Sequence, residues 1–456
     1  MKDYIAPSMM ALTLTSIALA LAVLAGCQST SPQATNDQAR SSMSSAESGK
    51  PDQAMHDLET TTERAIVNNA ADMAFAIYSD AYTTARDMQT SIDQFIAEPT
   101  EENLSLARQA WKTARVPYLQ SEVFRFGNPV VDDWEGKVNA WPLDEGLIDQ
   151  VDASYGSTSA ENQYYTANII ANPQLMIGGQ TVDASTISAD FLRNTLHEAG
   201  EIESNVATGY HAIEFLLWGQ DLNGTNAGSG ERPASDFKPN SCTAGNCERR
   251  IKYLQAASQL LVDDLQWMTN QWAEDASTGS ARQALTGLSD KDALGALVTG
   301  MGSLSLGELA GERMQLGLLV HDPEEEQDCF SDNTHAAHFY DAKGVQNLYN
   351  GVYQRTDGSL IEGPSLALLV EDTKPSLHNT IQQSLQDTMA AMQKIVDSAE
   401  NDGIAYDQLI GENNPEGNTL VSNAITNLLQ QTKAIAQLET TLELDNISIE
   451  SSDSLQ

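Results

Sequence analysis

Apolar residues recurring every three or four positions constrain this chain more than any other feature of its sequence. Behind Pro375, residues Leu377, Ile381, Leu385, Met389, Met392 and Ile395 keep that spacing, and Val421, Ile425, Leu428, Thr432, Ile435 and Leu438 repeat it. A period near 3.6 gathers such side chains on one helix face, which must be buried against a neighbour. Thr100 followed by Glu101 and Glu102 reads as an N-cap with an acidic first turn. From there Leu104, Leu106, Ala110, Trp111 and Ala114 carry an apolar stripe to Pro117, where a kink is expected. Strand-like alternation is confined to residues 178–182. The chain is therefore read as all-α, in two packed helical-bundle-like halves with long irregular loops.

The first 26 residues read as an export signal rather than as fold. Lys2 precedes an apolar run from Met9 to Ala25, and Leu24-Ala25-Gly26-Cys27 closes it. Small residues ending on a cysteine are what lipoprotein processing requires, so Cys27 is the expected site of acylation, in preference to a transmembrane helix without a stop-transfer flank. Residues 27–56, rich in Ser, Gln, Ala and Asp, read as a flexible tether. The folded part is then expected outside the cytoplasm, held by lipid to the periplasmic side of an outer membrane or to the cell surface.

The remaining length suffices for one large domain or two ordinary ones. We expect an N-terminal helical half at 57–246, a C-terminal half at 247–442 and an acidic tail at 443–456. Stretches 126–183, 219–246 and 322–341 interrupt the helical pattern with Gly, Pro, Asn and acidic residues, and long loops of this kind are usually functional or disordered. With 24 Lys plus Arg against 64 Asp plus Glu, the net charge is −40. Such a surface repels nucleic acid and anionic head groups and favours cations. In an oxidising compartment Cys242 and Cys247 are expected to close a small disulfide loop, leaving Cys329 as an odd thiol.

The string from Val206 to Asp221 is the most informative for chemistry. Within its apolar helical portion, Tyr210 to Trp218, His211 and Glu214 are the only pair that could carry charge, and a spacing of three puts them on one face. A carboxylate buried there is costly unless paired or metal-bound. Two readings stand side by side: a Glu–His hydrogen bond that stabilises a core, and a metal site of the kind helical bundles build from Glu and His at i, i+3.

Gly209-Tyr210-His211-Ala212-Ile213-Glu214 resembles the GxHxxE signature of the imelysin family, and three further pieces resemble its iron-regulated branch. They are Trp134-Glu135-Gly136 through Asn139-Ala140-Trp141-Pro142-Leu143-Asp144, Gly307 through Met314, and Cys329-Phe330-Ser331-Asp332-Asn333-Thr334-His335. The resemblance covers about residues 60–440. It implies an all-α exported protein of two bundle-like halves, linked to iron acquisition, in a family also catalogued with peptidases. A zinc peptidase helix would place a second histidine near the glutamate, as in HExxH or HxxEH. Here Phe215 follows Glu214, so binding is favoured over proteolysis, with Glu214 as the catalytic residue if proteolysis occurs.

Around His211 and Glu214 as metal ligands, Glu122, Glu308, Asp332 and His335 are further candidate ligands. Trp111, Arg115, Tyr118, Trp141, Asp144 and Arg313 are expected to support them, with Arg115 as a counter-charge to Glu122. Imidazole with carboxylate suits iron, with zinc or another divalent metal as alternatives. The expected function is binding of iron, or of an iron chelate such as haem, and delivery to a transporter or receptor. Rival readings are a metallopeptidase and a non-metal surface scaffold.

Overall fold

The computed structural model describes residues 51–455, with side chains from Thr62 onward. The export signal, the acylation site Cys27 and most of the tether lie outside the described residues. Residues 51–56, expected in the tether, belong instead to the first helix, Pro51–Ala97. The described chain is all-α apart from two short antiparallel hairpins, Gln174–Ile177 with Gln180–Asp183 and Val352–Gln354 with Leu360–Glu362.

One group of helices forms around the start of the chain. Pro51–Ala97 packs against Glu101–Ser121 and Cys247–Trp272, and the short helix Gly209–Trp218 lies against both of the latter. Thr100 caps Glu101–Ser121 by accepting a hydrogen bond from the Asn103 amide at 3.2 Å, and the helix runs through Pro117 to Ser121. A second group comprises Thr334–Asn350, Pro375–Glu400 and Pro415–Ile435, packed in sequence, with the last against the middle of the helix Asp290–Val320. Asp290–Val320 is long and apolar enough to cross a membrane, but 83% of its most apolar window is buried in the protein. Its centre, Leu304–Gln315, is π-wound, a distortion found preferentially at functional sites.

Two hydrophobic clusters result. The larger draws on residues from Ile66 to Leu444 and is shared by helices on both sides of residue 246. The smaller, from Leu309 to Leu428, lies among helices of the second group. The groups meet where Thr334–Asn350 crosses Glu101–Ser121. A Cβ on Gly344 would stand 2.6 Å from the Gln120 carbonyl oxygen, so glycine is what lets these two backbones approach.

Two of the irregular stretches and the acidic tail hold more structure than their composition indicates. Within 126–183, Pro129–Asn139 is helical, with Pro129 at the first turn where its missing N–H is harmless. Within 322–341, the loop ends at Asn333, and Thr334–Asn350 is helical, so His335 and His338 sit on a helix. The acidic tail lies along Asp290–Val320, the Glu450 amide donating to the Ser303 hydroxyl at 3.0 Å.

Candidate metal centre

Gly209 sets the direction of the Gly209–Trp218 helix. Its φ is +80°, and a Cβ there would stand 2.4 Å from the Val138 carbonyl oxygen, so backbone and space both demand glycine. Thr208 donates its hydroxyl to the Lys137 carbonyl at 2.8 Å. The helix start is thereby seated on the end of Pro129–Asn139, and the following turn projects His211 and Glu214 into the interior.

His211 is 2% exposed and Glu214 fully buried. His211 Nδ1 lies 3.0 Å from Glu214 Oε2 and 3.9 Å from Asp328 Oδ1. The Ser331 amide donates to the other Glu214 oxygen at 3.0 Å. Burial, aided by Arg115, pushes the His211 imidazole down to about 3, so it is neutral at physiological pH and keeps a lone pair. Burial and then the Asp328 charge push the Glu214 carboxyl well above the usual range. Burial raises Asp328 too, but Arg115, His211 and the Asn333 hydrogen bond together outweigh it and hold that carboxyl below its ordinary value.

The His211 nitrogen and one oxygen each from Glu214 and Asp328 lie within 4.8 Å of one another. Donor atoms about 2.0–2.3 Å from a shared cation stand roughly 3–4.5 Å apart, so the set fits a metal ion. The other imidazole nitrogen, Nε2, is buried without a hydrogen-bond partner. Leaving it so costs about 1–3 kcal/mol.

Arg115 organises the surroundings. Its guanidinium donates to Asp328 Oδ1 at 2.8 Å, and Asn333 donates to Oδ2 at 2.9 Å. The guanidinium carbon lies 5.0 Å from the Tyr210 ring centre, 5.7 Å from that of Trp111 and 5.8 Å from that of Tyr118. Trp111 Nε1 donates to the Tyr210 carbonyl at 3.0 Å, and Tyr118 packs on Tyr210 at 5.0 Å. Successive turns of Glu101–Ser121 thus fix both the arginine and the helix bearing His211.

Glu122 and Glu308, expected beside His211, are gathered on Arg313 instead. That guanidinium donates to Glu122, to Glu308 at 2.8 Å and to Asp341 at 2.7 Å. Arg115 therefore pairs with Asp328, while the counter-charge of Glu122 is Arg313. A pair formed by residues 191 positions apart cannot be read from helical spacing. Asn139 joins the two arginines: it accepts from Arg115 at 2.6 Å and donates to Glu122 at 2.8 Å and to Glu135 at 3.0 Å. Three arginines, 115, 125 and 313, pair with Glu122, Glu135, Glu308, Asp328 and Asp341, Arg125 also with Asp132, while Glu214 has no arginine partner among the described residues. The centre is anionic unless protons or a cation balance it.

Trp141 and Asp144 border a cavity of about 240 Å³ that His211, Glu326 and Cys329 also line. Asp144 accepts from Ser204 at 2.7 Å and so fastens the cavity wall. Burial pushes the Cys329 thiol well above its usual range, which keeps it protonated. Asp332 and His335 line a cleft of about 690 Å³ that His211 does not border. Burial and Lys112 push His335 down to about 4. Phe215 fills its position after Glu214 by packing on Phe330, ring centres 5.3 Å apart. Cys242 and Cys247 are joined by a disulfide at the start of Cys247–Trp272, Cα atoms 5.9 Å apart.

Asp328 is the member of this candidate group that sequence reasoning missed. It stands immediately before the quoted piece beginning at Cys329, and that position was its available signal.

Comparison with known proteins identifies the family and the fold. The profile of the imelysin family matches residues 74–435. Iron-regulated protein A of Synechococcus elongatus is 21% identical over 331 residues, covering 71% of this chain and 73% of its own length. The crystal structure of an iron-regulated protein A precursor from Parabacteroides distasonis superposes with a TM-score of 0.60 at 19% identity, over 84% of this chain and 95% of that one. An imelysin-like protein from Psychrobacter arcticum gives 0.54 at 16% identity, over 84% and 96%. At these identities the two structures establish the fold.

Proposed function

We propose, from the premise that this chain belongs to the imelysin family, that His211, Glu214 and Asp328 bind an iron ion for uptake into a bacterial cell. The observation that carries the reading is a neutral, fully enclosed imidazole set against two carboxylates, with its second nitrogen unpartnered. One nitrogen and two oxygen donors suit iron, manganese or zinc. The name of the Synechococcus relative turns the choice toward iron.

The chain's own residues would hold the ion in a defined way. His211 and Glu214 come from one helix turn, Asp328 from the facing loop, and Arg115 with Asn333 fixes the Asp328 carboxylate. Bound iron would supply charge to an anionic centre and displace the proton that burial favours on Glu214. The adjoining cavity, about 240 Å³, falls below the roughly 300–1,000 Å³ typical of pockets for drug-sized ligands, which favours a bare ion over haem. The same enclosure disfavours proteolysis, since an extended polypeptide has no room beside His211.

Anchorage through a lipid on Cys27 would place the folded part outside the cytoplasm, near a membrane-embedded transporter or receptor. The cysteine-terminated apolar run supports this, and the Cys242–Cys247 disulfide suits an oxidising compartment. The test is iron content of the purified protein against His211→Ala. Wild type should retain stoichiometric iron and the variant should lose it; equal binding refutes the assignment.

A further inference from the structure

The loop that supplies Asp328 also builds a second group. Glu326, Asp332 and Asp407 each present a carboxylate oxygen within 4.8 Å of the other two. Glu326 is 1% exposed and Asp407 fully buried, and neither oxygen of either residue makes a hydrogen bond. Thr334 for Glu326, and the Gln408 amide for Asp407, are near enough to favour the charged form but outside hydrogen-bonding geometry. Among the described residues no ion pair reaches these three carboxylates. Lys112 influences Asp332 from a distance, while its ammonium donates to the Ser331 carbonyl at 3.0 Å.

Two buried side chains from outside the acidic group lie alongside and are also unpartnered. The Tyr406 hydroxyl has no hydrogen-bond partner, its residue is fully buried, and Glu326 is the charge that acts on it. His338, equally buried, sets its ring edge-on to Tyr406 at 4.7 Å, and neither of its nitrogens has a partner. So many unsatisfied polar atoms in one place are rare in folded proteins, and they call for a partner such as an ion. Three dry carboxylates at this spacing repel one another strongly unless protons or a cation intervene.

The geometry points to a second cation site, separate from the His211 group, in which Glu326, Asp332 and Asp407 take a hard divalent cation of the Ca²⁺, Mg²⁺ or Mn²⁺ class. All three donors are oxygens, the preference of these ions, whereas the first centre offers an imidazole. Entry is available because Asp332 lines the cleft of about 690 Å³. The site does not depend on iron at His211.

The test is calorimetric titration of the metal-free full chain with Ca²⁺, Mg²⁺ and Mn²⁺ in parallel, for wild type, Asp407→Asn, Glu326→Gln and His211→Ala. At least one ion should bind wild type, weaken tenfold or more in Asp407→Asn and Glu326→Gln, and bind His211→Ala as it binds wild type. The amides keep shape and remove repulsion, so both metal-free variants should melt at or above wild type, and the added ion should no longer raise their midpoints. The proposal is overturned if wild type binds none of the three ions, if the amide variants bind as well as wild type, or if they melt below it. Loss in His211→Ala equal to that in Asp407→Asn overturns it as well. Failure of the iron reading would show only in iron content and would leave these titrations unchanged.

Discussion

Replacing Arg115 by methionine separates the buried charge network from the proposed metal site. Methionine occupies similar space but leaves Asp328 without its guanidinium, 2.8 Å away and fully buried. Breaking a buried pair by removing one partner costs about 3–5 kcal/mol. Unfolding entropy of about 2.1 cal/mol/K per residue over roughly 400 residues makes that a fall of about 4–6 °C in the metal-free melting midpoint. A cation changes the sign of the effect. The Asp328 carboxylate stands between Arg115 and the site, and a cation about 2.2 Å beyond it would lie roughly 5 Å from the guanidinium. At an effective dielectric constant near 20, the repulsion at that distance is about 3 kcal/mol per unit of charge on the cation. The variant should therefore bind Zn²⁺, a redox-silent stand-in, at least about 100-fold more tightly, and saturation should restore most of the lost stability. Melting with and without Zn²⁺, together with calorimetric titration, reads both quantities. A metal-free loss below about 1 kcal/mol, or affinity no tighter than wild type, refutes the reasoning.

Four other perturbations test separate parts of the structure. Gly209→Ala should cost at least the about 1–2 kcal/mol of a left-handed alanine, and more because Val138 must move; iron retention should fall with it, checked by melting and metal content. Asp149→Asn should cost several kcal/mol in a denaturant titration, since Asp149 accepts from Arg250 at 2.7 Å and Arg232 at 2.8 Å, but metal affinity should not change. Removing both Cys242 and Cys247 should cost about 2 kcal/mol, the value for a loop this short, again without effect on metal. Burial and then Asp332 push Asp407 up to about 7, so its folded form holds the proton more tightly than the unfolded chain. The stability this contributes is full below pH ~4 and lost as pH rises through about 7. Metal-free Asp407→Asn should therefore gain on wild type across that window in melts at pH 5 and pH 8.

Local pattern carried the helices, because a stripe such as Leu377 to Ile395 specifies its own buried face. It also singled out His211 and Glu214, whose spacing lies within one turn. Asp328, 114 positions after Glu214, reaches the same place only because the second helical group folds onto the first. Arg313 likewise draws Glu122 and Asp341 from distant helices, so the pairing of Arg115 with Asp328 was hidden by the nearer Glu122. Thr334–Asn350 was obscured because the acidic run 324–326 and the polar residues after it read as loop, while its helix is stabilised by packing on Glu101–Ser121.

One short segment, Glu326 to Asn333, gives Asp328 to the first group, Glu326 and Asp332 to the second, and the Ser331 amide to Glu214. The two groups are thus clasped by a single strand of backbone. A movement that lifts this segment would withdraw a carboxylate from both groups at once, whatever each of them holds.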